Sequence, residues 1–536
     1  MSRSFFLTTG KKRRSTRTFQ FDTLESRVVM ASNLIASLSG GVLRIEGTEG
    51  ADNITVRQTS GNLSVDGIKI SYLGSQIAKV SAGSVSRIEV FGLGGNDRIL
   101  LNSEAVSGQQ AIAISAAIHG GAGNDTIVGT SAADTIYGND GDDSIWGGGG
   151  NDVLRGGNGN DRLMGGEGND QLHGESGNDL AWGENGDDLL LGGDGNDDLM
   201  GGNGNDQLNG GAGIDRMWGE AGDDVLIGID NGTTDYLEGG TGRDILWVDQ
   251  VGSTRDRVVG LESNELLQSV ASFANGADRT LNGDRLADPT ALSGVTFRTF
   301  ANNPLFSSSV PTVNDIRKGS LSDCYFLAGL GAIAKDNSFA IKQNIVDFND
   351  GTYGVRLGDK FYRVDNDLAV TGSSTTPAYA KLGAQNSMWV AVIEKAFAHY
   401  RTGSNNFASI EGGWSVEINR AFRSSNAGAK NIDSYSSASA LANDLSAKLN
   451  SRDSVTIGFT GEKKKSSDGG KLIMGHMYIV MSVSKNSAGA VTSVTLRNPW
   501  GTDGGAVVDS NPSDGLVTVS PDELFRLVGQ VNWGRV

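Results

Sequence analysis

The sequence predicts a multidomain chain in which an all-β array of short stacked units precedes a mixed α and β domain. Two observations carry that expectation. From Gly120 to Ile227 the chain keeps a strict nine-residue period for twelve units. Beyond residue 295 it carries three separate strings around Cys324, His476 and Asn498. At 536 residues, two or more domains are expected in any case.

Residues 1–33 form a basic segment with seven Lys/Arg and two acids, including K-K-R-R at 11–14. It lacks the long apolar stretch of an ordinary signal peptide. With F-D-T-L-E-S-R at 21–27, it resembles the basic leader with an F-x-x-L-E-x-R motif found ahead of large extracellular proteins in planctomycete bacteria. That resemblance implies an extracellular protein, secreted or associated with the cell surface.

Residues 34–119 alternate β-branched and polar residues, as in V-L-R-I, N-I-T-V and R-I-E-V. G-T-E-G-A-D-N-I at 47–54 and G-L-G-G-N-D-R-I at 92–99 look like decayed repeat units. The segment is expected to be an irregular β region leading into the array.

In the twelve regular units the first position is always Gly and the sixth always Asp. The eighth is aliphatic or Met, with Ala181 the exception. An eleven-residue unit at 228–238 and a last unit at 239–247 continue the pattern. Glycine permits the positive φ angles of a tight turn. The eighth residue is the one large apolar side chain assured per unit, so only stacked units can build a core. The turn aspartates are hard oxygen ligands suited to calcium. They are Asp125, Asp134, Asp143, Asp152, Asp161, Asp170, Asp179, Asp188, Asp197, Asp206, Asp215, Asp224, Asp235 and Asp244. Residues 120–247 carry a net charge of −22, against −18 for the whole chain. Without cations such a stack of carboxylates would repel itself. A disordered Gly-rich linker would share the composition, but not the invariant Asp and aliphatic positions.

The array resembles the RTX calcium-binding nonapeptide repeats. The resemblance implies a right-handed parallel β-roll with two units per coil and several bound calcium ions. Asp residues eighteen apart, such as Asp125 and Asp143, would then flank one ion. Every second ninth position gives the outward column Val128, Trp146, Met164, Trp182, Met200, Trp218. An exposed apolar stripe of that kind marks a contact surface. Through Trp146, Trp182 and Trp218 it would dock the following domain or a second molecule, or it is a self-stacking ladder that stiffens the sheet. Residues 248–295 read as a polar linker with one short helix near 261–273.

Cys324 lies in K-G-S-L-S-D-C-Y-F-L, His476 in G-H-M-Y and Asn498 in R-N-P-W-G. Cysteine, histidine and asparagine in that order are the parts of a thiol hydrolase. The cysteine attacks, the histidine takes its proton and the asparagine amide orients the imidazole. A lone buried thiol is the alternative for any single cysteine. His119 and His173 lie in or beside the repeats, and His399 sits in the string E-K-A-F-A-H, where packing or solvation is the expected role.

These strings resemble the calpain family of cysteine proteases, which reads Q-G-x-L-G-D-C-W, G-H-A-Y and R-N-P-W-G. W-V-A-V-I-E-K-A-F-A at 389–398 and G-G-W at 412–414 add to the resemblance. It covers residues 296–536 and implies an α+β, papain/calpain-like protease domain with a complete core and no regulatory domains beyond it. The implied activity is peptide-bond hydrolysis on protein or peptide substrates. Trp500 would shield the His–Asn bond, unless it is an ordinary core tryptophan. Three departures stand out. Lys318 replaces the oxyanion-hole glutamine, Ser322 replaces a glycine, and Ala408 stands where a calcium-binding glutamate is expected. A lysine offers a mobile charge rather than a fixed amide. G-E-K-K-K-S-S-D-G-G at 461–470 would be a solvated hairpin tip or a loop gating the cleft.

The expected function is therefore an extracellular endopeptidase carried on a calcium-binding roll. The alternative is a calcium-dependent scaffold or adhesion protein whose protease domain is weakened, a reading that Lys318 and Ser322 favour. One cysteine allows no internal disulfide. No apolar run approaches the roughly 20 residues of a membrane helix, and net acidity argues against nucleic acid.

Overall fold

The computed structural model describes the backbone of residues 4–7 and 15–18, and residues 34–101, 110–230, 232–250, 255–274, 288–306, 311–317, 321, 323–401, 403, 406–459, 472, 476–499, 515–527 and 529–536. Near the start, the backbones of Ser4–Leu7 and Ser15–Thr18 pair antiparallel. The rest of the expected leader lies outside the described residues. The chain divides into two compact units, Met1–Ser269 and Val270–Val536.

The first unit is a solenoid of two sheets, with 14 and 12 strands. Successive strands alternate between the sheets, and each pairs in parallel with the next but one. Ile127 lies beside Ile145, and Ile136 beside Leu154. Two units thus make one coil, as the eighteen-residue spacing of the aspartates predicts. The eighth positions point inward: Ile127, Ile145, Leu163, Leu199 and Met217 on one sheet and Ile136, Leu154, Leu172, Leu190 and Leu208 on the other are fully buried. One such side chain contributes about 1.5–3 kcal/mol on burial. Ordering one backbone residue costs about 1–2 kcal/mol, so a nine-residue unit cannot stand alone.

The region before the array belongs to the same solenoid. Ile99 pairs with Ile54 and with Ile127, so the two irregular units at 47–54 and 92–99 are coils of the stack with longer connections. Antiparallel strands then cover the N-terminal edge. Ile35–Ser39 lies against Val42–Glu46, and Asn62–Val65 against Asn53–Thr59. An open parallel edge would otherwise template further pairing.

The far end departs from the sequence expectation. Arg257–Val258 pairs with Tyr236–Thr241, and Leu266–Val270 extends the sheet beyond Ile245–Asp249. The short helix expected near 261–273 is therefore a strand. The free edge of the last coil takes this segment, with Leu266 N–H donating to Asp244 O at 2.7 Å. Gln268 and Val270 are buried while Ser269 is not, the period of two of a strand.

The second unit is α+β. Its first helix, α1, runs Cys324–Asp336 and is followed by the short α2, Phe339–Lys342. α3 is Trp389–Tyr400, α4 Val416–Ala421, α5 Ala438–Asn450 and α6 Pro521–Leu527. A six-stranded sheet orders Gly428–Asn431, Gln530–Gly534, Ser454–Gly458, Met477–Lys485, Val491–Arg497 and Leu516–Val519. A three-stranded sheet, Ile345–Asp347, Thr352–Leu357 and Lys360–Asp365, packs against α3.

Residues Tyr325 to Ala334 of α1 are all buried. A helix apolar all round belongs in a core, and here it packs against Ser454–Gly458, Met477–Lys485 and α4. Two glycines permit the close approach. A Cβ on Gly331 would lie 2.4 Å from Ile479 Cδ1, and one on Gly329 2.8 Å from Ile418 Cβ.

This unit also takes in residues assigned to the linker from sequence. Phe273 is buried edge-on to Phe348, and Ala274 N–H donates to Phe361 O. Asp288 forms an ion pair with the buried Lys395, which also binds Asp365.

Candidate active site and cation array

Cys324 is the first residue of α1 and is partly buried against the core that includes Met477. Anions are stabilised at a helix N-terminus, which suits a thiolate nucleophile. His476 immediately precedes the strand Met477–Lys485, and Asn498 immediately follows Val491–Arg497. These strands pair antiparallel with Ile479 beside Arg497. That register brings His476 and Asn498 to one end of the pair. His476 Nε2 and Asn498 Oδ1 lie 3.0 Å apart, and both residues are buried. An amide oxygen can only accept, so Nε2 donates. In that tautomer Nδ1 is the proton-accepting nitrogen of the neutral ring.

The pair is held from several sides. Phe459 N–H donates to His476 O at 3.0 Å, and Asn498 N–H to Gly515 O at 2.7 Å. Tyr478 meets the imidazole edge-on, with ring centroids 5.4 Å apart. Gly458 has no room for a side chain. A Cβ there would lie 2.5 Å from Met477 Sδ and 2.6 Å from the Trp414 ring. Trp414 ends the G-G-W string, and the next residue, Ser415, donates to Tyr325 O at 2.7 Å. Arg401 fixes the same loop through Glu417, Ser409 O and Gly412 O. Nothing in the G-G-W string itself signals this bracing role.

Lys318, Ser322, Trp500 and the loop at 461–470 lie outside the described residues. His399 is buried beside Tyr362, and burial lowers its pKa to about 4, which fits packing. Ala408 N–H is held by Asn406 Oδ1 at 2.8 Å.

In the solenoid the turn aspartates form two columns. Asp125 N–H donates to Asp143 Oδ1, Asp143 N–H to Asp161 Oδ1 and Asp161 N–H to Asp179 Oδ1, each at 2.7 Å. The second column runs likewise through Asp134, Asp152, Asp170 and Asp188. One carboxylate oxygen is thus spent on the ladder. The other, Oδ2, is buried without a hydrogen-bond partner in every predicted ligand except Asp134. It faces the first glycine of its own unit and a carbonyl of the next coil. A Cβ on Gly138 would meet Asp143 Oδ2 at 2.1 Å and Gly156 O at 2.6 Å. Burial raises these carboxyls, to about 8 for Asp143 and Asp197 and about 9 for Asp235.

A hard cation fits this donor set, because orphaned carboxylate oxygens and backbone carbonyls converge where no side chain can enter. Among the described residues no group of three or more His, Cys, Asp or Glu side chains converges as a metal site. A bound ion therefore has to take much of its coordination from backbone oxygens. When bound, calcium supplies the positive charge that keeps the buried carboxylates ionised. Asp52, Asp97 and Asp256, outside the regular array, also join the ladder, through Asp52 N–H to Asp97 Oδ1, Asp97 N–H to Asp125 Oδ1 and Asp235 N–H to Asp256 Oδ1. For the first two, the aspartate five residues after the leading glycine was the signal.

Comparison with known proteins gives the class: a cysteine protease domain joined to calcium-binding repeats. Residues 296–513 match the family model of the calpain family cysteine proteases. Stretches between 119 and 249 match the RTX calcium-binding nonapeptide repeat. The calpain-type cysteine protease DEK1 of Zea mays is 27% identical over 224 residues, 39% of this chain and 10% of that protein. The calpain-type cysteine protease ADL1 of Oryza sativa subsp. japonica is 27% identical over 209 residues, 37% of this chain and 9% of that protein. This chain thus spans about a tenth of the length of the curated relatives it matches. It carries a calpain-type cysteine protease domain and RTX calcium-binding repeats, with multiple repeat copies.

Proposed function

We propose that the chain is an extracellular cysteine endopeptidase borne on a calcium-loaded solenoid. The observation that carries the catalytic half is the buried His476–Asn498 pair at 3.0 Å, built into the sheet against which the Cys324 helix packs. Cys324 Sγ, deprotonated by His476, attacks a peptide carbonyl carbon. The C–N bond breaks, and the imidazolium returns its proton to the leaving amine. Water, deprotonated by His476, then cleaves the thioester and releases the acid. The backbone N–H of Cys324 donates to the oxyanion, joined by the Lys318 ammonium. Trp500 screens the His–Asn bond from water. The matched repeats and the basic leader support an extracellular or cell-surface location, and no helix among the described residues is long and apolar enough to cross a membrane.

The protease unit is expected to turn over peptides without calcium, because Ala408 stands where the calpain resemblance implies a calcium-binding glutamate. The test is a peptide-library assay on a fragment beginning at Val270, which keeps Phe273 and Asp288. Equal turnover in calcium and in chelator, abolished in Cys324→Ala, is expected. Strict calcium dependence would contradict the calcium-free core. No turnover under either condition would favour the scaffold reading.

A further inference from the structure

Two units of the solenoid satisfy their aspartate in another way. In the regular array the second residue of each unit has a positive φ, from 73° at Glu220 to 123° at Gly121, except at Thr130. A β-branched residue is disfavoured there, and the turn at Thr130 takes a different course. Thr130 N–H donates to Asp134 Oδ2 at 2.5 Å and its hydroxyl to Asp134 Oδ1 at 3.0 Å. Ala116 N–H adds a bond to Oδ1 at 2.6 Å. Ala132 N–H in turn donates to the Thr130 hydroxyl at 3.1 Å. Both oxygens of Asp134 are thereby occupied, whereas Asp143 and Asp152 each keep a buried Oδ2 without a partner.

The same arrangement recurs 82 positions upstream. Thr48 N–H and hydroxyl both reach Asp52 Oδ2, at 2.6 and 3.0 Å, and Gly50 N–H donates to the Thr48 hydroxyl at 3.2 Å. Thr48 also lacks a positive φ. Both units read G-T-x-x-A-D, at 47–52 and 129–134. Their places in the stack are equivalent. Asp52 is the first carboxylate of the column that continues through Asp97 and Asp125. Asp134 is the first of the other column, since Ala116 occupies the matching place one coil earlier.

We infer that threonine takes the place of the cation in the opening unit of each column, so that Asp52 and Asp134 bind no calcium and the ion-holding array begins at Asp97 and Asp152. The inference rests on the calcium reading of the array. The donors of a threonine are present at any calcium concentration. The opening coils therefore offer a preformed edge on which the calcium-dependent coils stack, as expected where each repeat is stabilised by its neighbour. The G-T-E-G-A-D unit is then a distinct closing module rather than a decayed repeat.

The experiment counts calcium bound to the full chain by equilibrium dialysis, with circular dichroism in calcium as a check that the β signal is intact. Asp152→Asn should lose calcium, Asp134→Asn should keep the wild-type count, and Thr130→Gly should gain one ion. A loss in Asp134→Asn equal to that in Asp152→Asn would overturn the inference. So would an unchanged count in Thr130→Gly. If the wild-type chain binds no calcium, or Asp152→Asn changes nothing, the reading of the array itself is wrong, and the inference falls with it.

Discussion

Gly331 shows how one residue governs the placement of the candidate base. It lies in α1 where the helix meets Ile479, three residues beyond His476, and a Cβ there would stand 2.4 Å from Ile479 Cδ1. Gly331→Val should lower stability by about 1–3 kcal/mol through overpacking, read as a lower denaturant midpoint. Adding Ile479→Ala should recover part of that loss. An unchanged midpoint in Gly331→Val would show that the helix and strand do not meet this closely. If Lys318 stands in for the oxyanion-hole glutamine, as the calpain resemblance implies, Lys318→Gln should raise kcat roughly 10- to 100-fold, less than the full effect of a donor if lysine already substitutes in part. An unchanged or lower kcat would give the lysine a role of its own. The residues of this site were legible in the sequence because each sits in a distinctive string. Their proximity was not, since the pairing of Ile479 with Arg497 that brings His476 to Asn498 depends on long-range strand register.

Among the elements, the solenoid strands were the most readable, because glycine, aspartate and aliphatic positions repeat with the same period that sets the coil. The register of the outward column also follows: Val128, Trp146, Met164, Trp182, Met200 and Trp218 are successive neighbours. Changing Trp146, Trp182 and Trp218 together to Thr keeps β-propensity. Docking of a second molecule on this column predicts a smaller sedimentation coefficient in that variant with calcium binding intact. Unchanged shape and assembly in calcium would leave the column as a stiffening ladder only. Leu266–Val270 was misread as helix because L-E-S-N-E-L-L-Q carries no strand signature of its own. The unpaired edge of the preceding coil decides its conformation, and a local pattern does not contain that edge. Asp134 shows the limit of a local pattern at a turn, where it is bound by Thr130 and Ala116. Its spacing is regular, and the threonine that satisfies it is visible only in the turn.

For the whole molecule, the balance between buried carboxylates and cations sets when the first unit is folded. Most units bury a single apolar side chain in the stack, and the array carries a net charge of −22. Calcium binding should therefore appear as folding free energy. Circular dichroism of the full chain should lose much of its β signal in excess chelator and regain it on adding calcium. Identical spectra in both would mean that the turn ladders hold the coils unaided. Such ladders do exist on the surface, where Asn178 Nδ2 donates to Asn160 Oδ1 and Asn196 Nδ2 to Asn178 Oδ1, each at 3.0 Å. They compete with the carboxylate repulsion and set how complete the loss is.

The proposed catalysis requires Cys324 to be a nucleophile activated by the His476–Asn498 pair. The most direct measurement is stoichiometric labelling of the full chain by a thiol-reactive epoxide, read by mass spectrometry. The cysteine is the sole thiol in the chain, so the site of reaction is unambiguous. One label per chain is expected near neutral pH, lost in His476→Ala and slowed in Asn498→Ala. Labelling that proceeds at the same rate in His476→Ala, or no labelling of the wild-type chain, would contradict it.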